Sequence, residues 1–316
     1  MNYNFKEMTK EEIIDVLEKY PWFLKEINDE EVHLELVKQD EENIKYINNP
    51  SEEIELFAVK KSPHSIYFIN NPSEAVQLEV IKQDGRLIHV INNPSEFIQL
   101  EAVRNNGYSI YFINNPSEAV QLEAVKQDGC AIQYIKNPTE EMQLIAVKNS
   151  IHALDYINNI TEEIIKIAIE YHTNSNVISF IENPSEELQL LAVKKNGCAI
   201  QYIKNPTYKV QLEAIKENAN AIEYIDNPSE ELQLMAIKAK PKCYRFINKS
   251  AQITEKVKLT AVELDAENII YMHLPSEAIQ LAALKQNFRT ARKYIYTPSG
   301  KVLEYIKMKE DEEKIN

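Results

Sequence analysis

Six histidines, three cysteines and several pairs of adjacent glutamates are the residues of this chain that could do chemistry. Histidine with cysteine could hold zinc, two cysteines could close a disulfide, and paired carboxylates could share acid and base roles. Their spacing argues against each. His33, His64, His89, His152, His172 and His273 make no H-E-x-x-H pair, and none stands beside a cysteine at ligand spacing. Cys130 and Cys198 occupy identical decamers, GCAIQYIKNP, at equivalent places three repeats apart. At about 8–10 Å per layer of packed helices they cannot share a metal or a bond. Cys243 has no better partner. The acid pairs Glu52-Glu53, Glu140-Glu141, Glu186-Glu187 and Glu230-Glu231 recur at expected helix starts, where the helix dipole accounts for them. The phosphate-loop, nucleophile-elbow and dinucleotide fingerprints are missing, and only 5 glycines occur in 316 residues. No catalytic residue, metal or cofactor is expected, and the chain reads as a non-enzyme.

The elements that must position any site come from a repeat. Pro50, Pro72, Pro94, Pro116 and Pro138 are spaced 22 residues apart, and so are Pro184, Pro206 and Pro228. A period of this size signals a solenoid. In the clearest repeat, Asn115 to Pro138, Ser117 is placed to cap a helix, Glu118 puts negative charge in its first turn and Lys126 puts a cation in its last. Gly129 is expected to end this helix in the left-handed region. The CAIQYI segment then forms a short second helix, partly 3₁₀, and the residue before proline leaves the α region. Aligning on the small residue in the middle of the long helix gives Leu36, Ala58, Val80, Ala102, Ala124, Ala146, Ala168, Ala192, Ala214, Ala236, Ala261 and Ala283. The expected fold is all-α, an elongated right-handed α-solenoid of about twelve 22-residue helix-turn-helix units. Residues 1–28 are read as a capping unit with Trp22 shielding the first core layer, 29–298 as the solenoid and 299–316 as a charged tail. Two junctions are longer, at YHTNSN after Ala168 and at Ile247 to Lys256.

Equivalent positions stack into columns. One, in the short helix, holds Tyr46, Phe68, Val90, Phe112, Tyr134, Tyr156, Phe180, Tyr202, Tyr224, Phe246, Tyr271 and Tyr294. It reads as a core stripe rather than a stacking surface for bases. A glutamine column, Gln77, Gln99, Gln121, Gln143, Gln189, Gln211, Gln233 and Gln280, falls on the buried arc and needs backbone partners in the loops. His33, Glu55, Ile165 and Lys258 interrupt it. A basic column, Lys38, Lys60, Lys82, Arg104, Lys126, Lys148, Lys194, Lys216, Lys238 and Lys285, is the candidate polyanion track, against the plain preference of helix ends for cations. The position just before the marker is expected to be the most exposed point of the long helix. It carries acids in several repeats but Phe57, Ile145, Ile167, Leu191 and Met235 in others. These five are the candidate partner-binding residues. Burial by local curling, or cover from the YHTNSN turn, is the competing account.

The unit Leu122-Glu123-Ala124-Val125-Lys126-Gln127-Asp128-Gly129, followed by Ala131, Ile132 and Tyr134, resembles an uncharacterised family of short helical repeats with an AVKQNG-x-AL-x-Y signature. The resemblance runs in weaker form from about Leu34 to Tyr294 and implies an all-α repeat fold with no known activity. Pro63, Ile151, Ala219, Pro241 and Phe288 stand where that signature has glycine.

A net charge of −14 opposes general nucleic-acid or anionic-membrane binding. No apolar run is long enough to cross a membrane, no leader is visible, and scattered cysteines fit a reducing, cytoplasmic setting. The expectation is an intracellular protein-interaction scaffold with a protein partner. Lysine outnumbers arginine 30 to 5, as in AT-rich coding genomes, which extends the expectation to a phage or bacterial protein that binds and blocks a host or defence component. The alternatives are polyanion binding along the lysine column, acidic mimicry of nucleic acid, and small-molecule sequestration at the irregular repeat near His172.

Overall fold

The computed structural model describes residues 3–247 and 252–315. Among them there is no strand. Thirteen ten-residue α-helices follow one another, from Lys10–Lys19 to Glu277–Gln286, and the helix Gly300–Ile315 closes the chain. Each ten-residue helix is followed by a shorter one, which in eleven repeats is a six-residue 3₁₀ helix such as Gly129–Tyr134. The chain is therefore an all-α helical repeat, divided into two compact blocks, Met1–Asn159 with seven repeats and Ile160–Asn316 with six. Within each block, long helices pack on the next long helix and short helices on the next short one. Ten-residue helices are too short to be stable alone, so their burial holds them. Val120, Ala124 and Val125 are fully buried, as are Ala131 and Ile132 of the following 3₁₀ helix.

Three local readings need correction. Gly129 is not a left-handed cap, because no glycine has positive φ. The long helix ends on Asp128, a single extended residue (φ −142°, ψ 116°) whose carboxylate accepts from the Cys130 N–H at 2.8 Å. Asp128 thus ends one helix and caps the next. Glycine is used there for room, since a Cβ on Gly129 would lie 2.2 Å from the Ala146 carbonyl oxygen of the next repeat. Second, the residue before proline leaves the right-handed α region as expected, but at Asn49, Asn71, Asn93, Asn115, Asn205 and Asn227 it goes on to a positive φ, between 49° and 52°, instead of an extended conformation. Asparagine tolerates this region better than other residues with a Cβ. Third, residues read as a tail form the helix Gly300–Ile315, whose Val302 and Ile306 are buried. The N-terminal capping unit is itself a helix pair, Lys10–Lys19 with Pro21–Glu26, but Trp22 is 47% exposed and does not shield the core. The lengthened junction at Ile247 to Lys256 falls partly on 248–251, outside the described residues.

Polar ladders join the repeats. All eight column glutamines donate Nε2–H to the carbonyl of their own junction proline, at 2.8–3.1 Å, as in Gln121 to Pro116 at 2.9 Å. His33 makes the corresponding bond to Ile27 O at 3.1 Å. The N-cap hydroxyls of Ser73, Ser95, Ser117, Ser185, Thr207 and Ser276 each accept from their own helix and donate to the first glutamate of the preceding helix, as in Ser185 to Glu162 at 2.6 Å, whereas Ser51 does neither. Near the other end, Asn105 and Asn149 donate to carbonyls at the C-terminus of the preceding long helix, Lys82 O and Lys126 O, each at 2.9 Å. Helix termini that would leave orphan groups are thereby satisfied by the next repeat.

Glu55 stands in the glutamine column, and an ionised carboxylate has no proton to give Pro50 O. Burial, then the nearby Glu52 charge, raise its pKa above 4.5. The folded protein therefore holds this proton more tightly than the unfolded chain does. The resulting stability is present at low pH and is lost as pH rises through the raised pKa. Glu55→Gln is expected to stabilise the protein at pH 7 by about 0.5–1.5 kcal/mol. Its advantage over the wild type should shrink as pH falls toward 4.5. Urea titrations of both proteins across that range test this, and a pH-independent difference would reject it.

Candidate functional site

The aromatic column faces solvent. Phe68, Phe112, Tyr134, Tyr156, Phe180, Tyr202, Tyr224 and Tyr271 are all exposed, while Tyr46, Val90, Phe246 and Tyr294 are half-buried. The core reading of this stripe is overturned. The buried places of the short helix go to Gly129, Ala131 and Ile132, with Ile135 just beyond it, and the Tyr134 ring, one turn on from the small Ala131, stays at the solvent edge. The recurring string IYF (Ile66-Tyr67-Phe68 and Ile110-Tyr111-Phe112) carried the signal, because two adjacent aromatics cannot both follow the buried isoleucine inward.

In the first block these rings connect. Tyr67 is 54% and Tyr111 64% exposed. His64 stacks on Tyr67, His89 meets Phe112 at 5.3 Å between centroids, and Tyr111 meets Phe112 at 5.0 Å and Tyr134 at 5.1 Å. His89 Nδ1 lies 2.8 Å from Arg86 O and must donate there, so in the neutral ring Nε2 accepts from the Tyr67 hydroxyl at 3.1 Å. Lys45 sits over the Tyr46 and Phe68 rings, at 5.2 and 5.8 Å. Beside the rings runs a row of exposed amides, Asn48, Asn70, Asn92 and Asn114, one per repeat.

A hollow of about 420 Å³ opens between adjacent short helices, walled by His89 and Phe112, rimmed by Asn92, Pro94 and Asn114, and floored by Gln99. The same place in the second block holds a hollow of about 520 Å³ with Pro206, Gln211 and Tyr224, and another of about 250 Å³ with Pro275, Gln280 and Tyr294. The hollow is a property of the repeat, and the side chains around it vary.

The other candidate columns lie on the long helices. The ten basic residues are exposed in the last helical turns. Several are engaged by acids: Arg104 with Glu101 at 2.8 Å and Glu123 at 3.0 Å, Lys126 with Glu123 at 3.9 Å, and Lys216 with Glu213 at 2.7 Å. The Lys216 hydrogen bond holds the Glu213 carboxyl below the ordinary carboxylate range. Phe57, Ile145, Ile167, Leu191 and Met235 are half-buried, so their position is not the most exposed point of the helix. It faces the groove between neighbouring long helices, as the Arg104–Glu123 pair across two helices shows. Phe57 packs on the core of the first block. Leu191 lines a hollow of about 380 Å³ with Leu188, Leu190 and Lys166. Phe57 and Ile145 belong to the first block, Ile167, Leu191 and Met235 to the second.

His172 ends the helix Glu162–Tyr171, with its N–H bonded to Ala168 O at 3.0 Å. All three cysteines are free thiols. No group of three or more His, Cys, Asp or Glu among the described residues is placed to hold a metal ion. No helix among them is long and apolar enough to cross a membrane. What fold and surface define is a class, a helical-repeat protein presenting an exposed aromatic side chain from eight of its short helices. No protein-family model, no curated protein and no solved structure matches the chain.

Proposed function

We propose that the chain is a non-enzymatic protein-interaction scaffold that docks its partner on the short-helix side of the repeats. The observation that supports this reading is the solvent-facing aromatic column. Rings carry large contact area at low conformational cost and are enriched at the energetic centres of interfaces. A row of them left in water is otherwise a solubility liability. Polyanion binding is the weaker reading, because acids one turn away already engage part of the lysine column.

The test compares baits in extract of the native cell. Tyr67→Ala/Tyr111→Ala/Phe112→Ala removes three exposed rings and should leave far-UV circular dichroism unchanged. It is expected to lose at least about tenfold of the captured partner. Lys60→Glu/Lys82→Glu and Ile145→Glu should retain it. Equal capture by the triple variant would sink the assignment of this face.

A further inference from the structure

We infer that the first block's ring-and-amide row takes an extended, proline-rich peptide segment in the polyproline II conformation. The inference rests on the docking face proposed above and names what lies on it.

Charge is the first argument. The four central short-helix segments, residues 63–72, 85–94, 107–116 and 129–138, contain no Asp or Glu. The four long-helix segments that alternate with them, 51–62, 73–84, 95–106 and 117–128, contain eleven. An acidic protein thus keeps this face free of its own dominant charge. Cations are sparse there too: Arg86 and Lys136, of which Arg86 is paired with Asp84 at 2.9 Å. A phosphate backbone would want about one cation for each phosphate it presents. The face therefore matches a neutral chain. The flanking segments 41–50 and 151–160 carry Glu41, Glu42 and Asp155. In the second block, segments with acids (Glu182, Glu223, Asp226, Glu267) alternate with acid-free ones such as 197–206, so the longest acid-free run is these four consecutive repeats of the first block.

The second argument is spacing. Packed helical layers repeat at about 8–10 Å. A polyproline II chain has three residues per turn and a rise of about 3.1 Å, so it repeats every 9.3 Å or so. One side chain per turn would meet the same hollow on each successive repeat. A continuous α-helix advances about 5.4 Å per turn and falls out of step.

The third argument is chemistry. A polyproline II backbone has no internal hydrogen bonds, and its carbonyls need donors. Asn70, Asn92 and Asn114 supply exposed amide N–H groups at the rim. Pyrrolidine rings pack on aromatic faces, the usual basis of proline-rich recognition. The rings are also held in place before binding: the Arg86 O···His89···Tyr67 hydrogen-bond chain and the Phe112–Tyr111–Tyr134 contacts fix their orientation. Fixing them beforehand lowers the ordering cost of association.

The test uses the full chain and a fluorescein-labelled (Pro-Pro-Leu)₄ peptide, read by fluorescence anisotropy. A soluble amphipathic helical 12-mer and a 12-nucleotide uridine strand are run in parallel. Saturable binding of the proline peptide is expected, weakened at least about tenfold in Tyr67→Ala/Tyr111→Ala. Asn70→Ala/Asn92→Ala should also weaken it, and both variants should keep their circular dichroism. Absence of proline-peptide binding, or equal binding by both variants, overturns the inference. So does tighter binding of the helix or the uridine strand. If the capture experiment still depends on the three rings while the proline peptide fails, the docking face stands and only its occupant is wrong. If both fail, the face itself is wrong.

Discussion

Ile88→Ala is expected to destabilise the first block by about 2–5 kcal/mol, and Leu24→Ala, the equivalent change in the first repeat, by distinctly less in global unfolding. Both side chains are essentially buried, at 2% and 0% exposure. Burial alone would make their truncations equal. The contact pattern makes them unequal, because each repeat touches only its neighbours. In such an array stability is close to a sum of repeat and interface terms, and a weak repeat at the end can fray without carrying the rest. A cavity at Ile88, in the fourth of seven repeats, weakens the coupling of the three repeats before it to the three after it. Its urea transition should therefore broaden or split. Leu24→Ala should instead speed amide exchange in Lys10–Lys19 and Pro21–Glu26 and leave the main transition nearly in place. Equal midpoint losses with unchanged cooperativity would show that the block unfolds as a globule.

The same nearest-neighbour logic explains what the sequence discloses. Fold class, helix starts and the glutamine column were legible because each depends on residues within one repeat. Ser117 caps its own helix, and Gln121 reaches back five residues to Pro116. Features that depend on the next repeat were not legible. The hydroxyl-to-glutamate ladder joins residues about one period apart, and glutamates such as Glu186, which accepts from the Thr207 hydroxyl, looked sufficiently explained by the helix dipole. The aromatic face was misread for a different reason. A six-residue segment is too short for its periodicity to assign an inner face, and the buried places in it go to Gly129, Ala131 and Ile132, which leaves the Tyr134 ring exposed. The groove residues Phe57, Ile145, Ile167, Leu191 and Met235 were placed by helical-wheel angle, which takes no account of the neighbouring long helix alongside.

Gly129→Ala decides between two physical effects of opposite sign. Where the backbone is compatible, replacing glycine by alanine stabilises a protein by about 0.4–1 kcal/mol, because the unfolded chain loses freedom. Gly129 has no positive φ, so conformation alone predicts that gain. The new Cβ, however, would lie 2.2 Å from Ala146 O and 3.1 Å from Ser150 Cβ. The oxygen is backbone, belongs to a buried helix and cannot swing aside. The repeats would have to separate, at an overpacking cost of about 1–3 kcal/mol. The chain's own pattern agrees. Gly85, Gly107, Gly129 and Gly197 each approach an alanine carbonyl of the next repeat, from Ala102, Ala124, Ala146 and Ala214. Pro21 and Pro63 at this place face the larger markers Leu36 and Val80, while Pro241 and Ile151 face Ala261 and Ala168, so the close glycine–alanine joint is a feature of the four glycine repeats. A net loss of stability is expected for Gly129→Ala, and for Ala219→Gly, where a buried alanine already fits the equivalent place, only the loss of about 0.4–1 kcal/mol that added freedom of the unfolded chain brings. Chemical denaturation of both variants supplies the measurement. A stabilised Gly129→Ala protein would mean that neighbouring repeats slide apart freely, and that the close joint is not what holds their spacing.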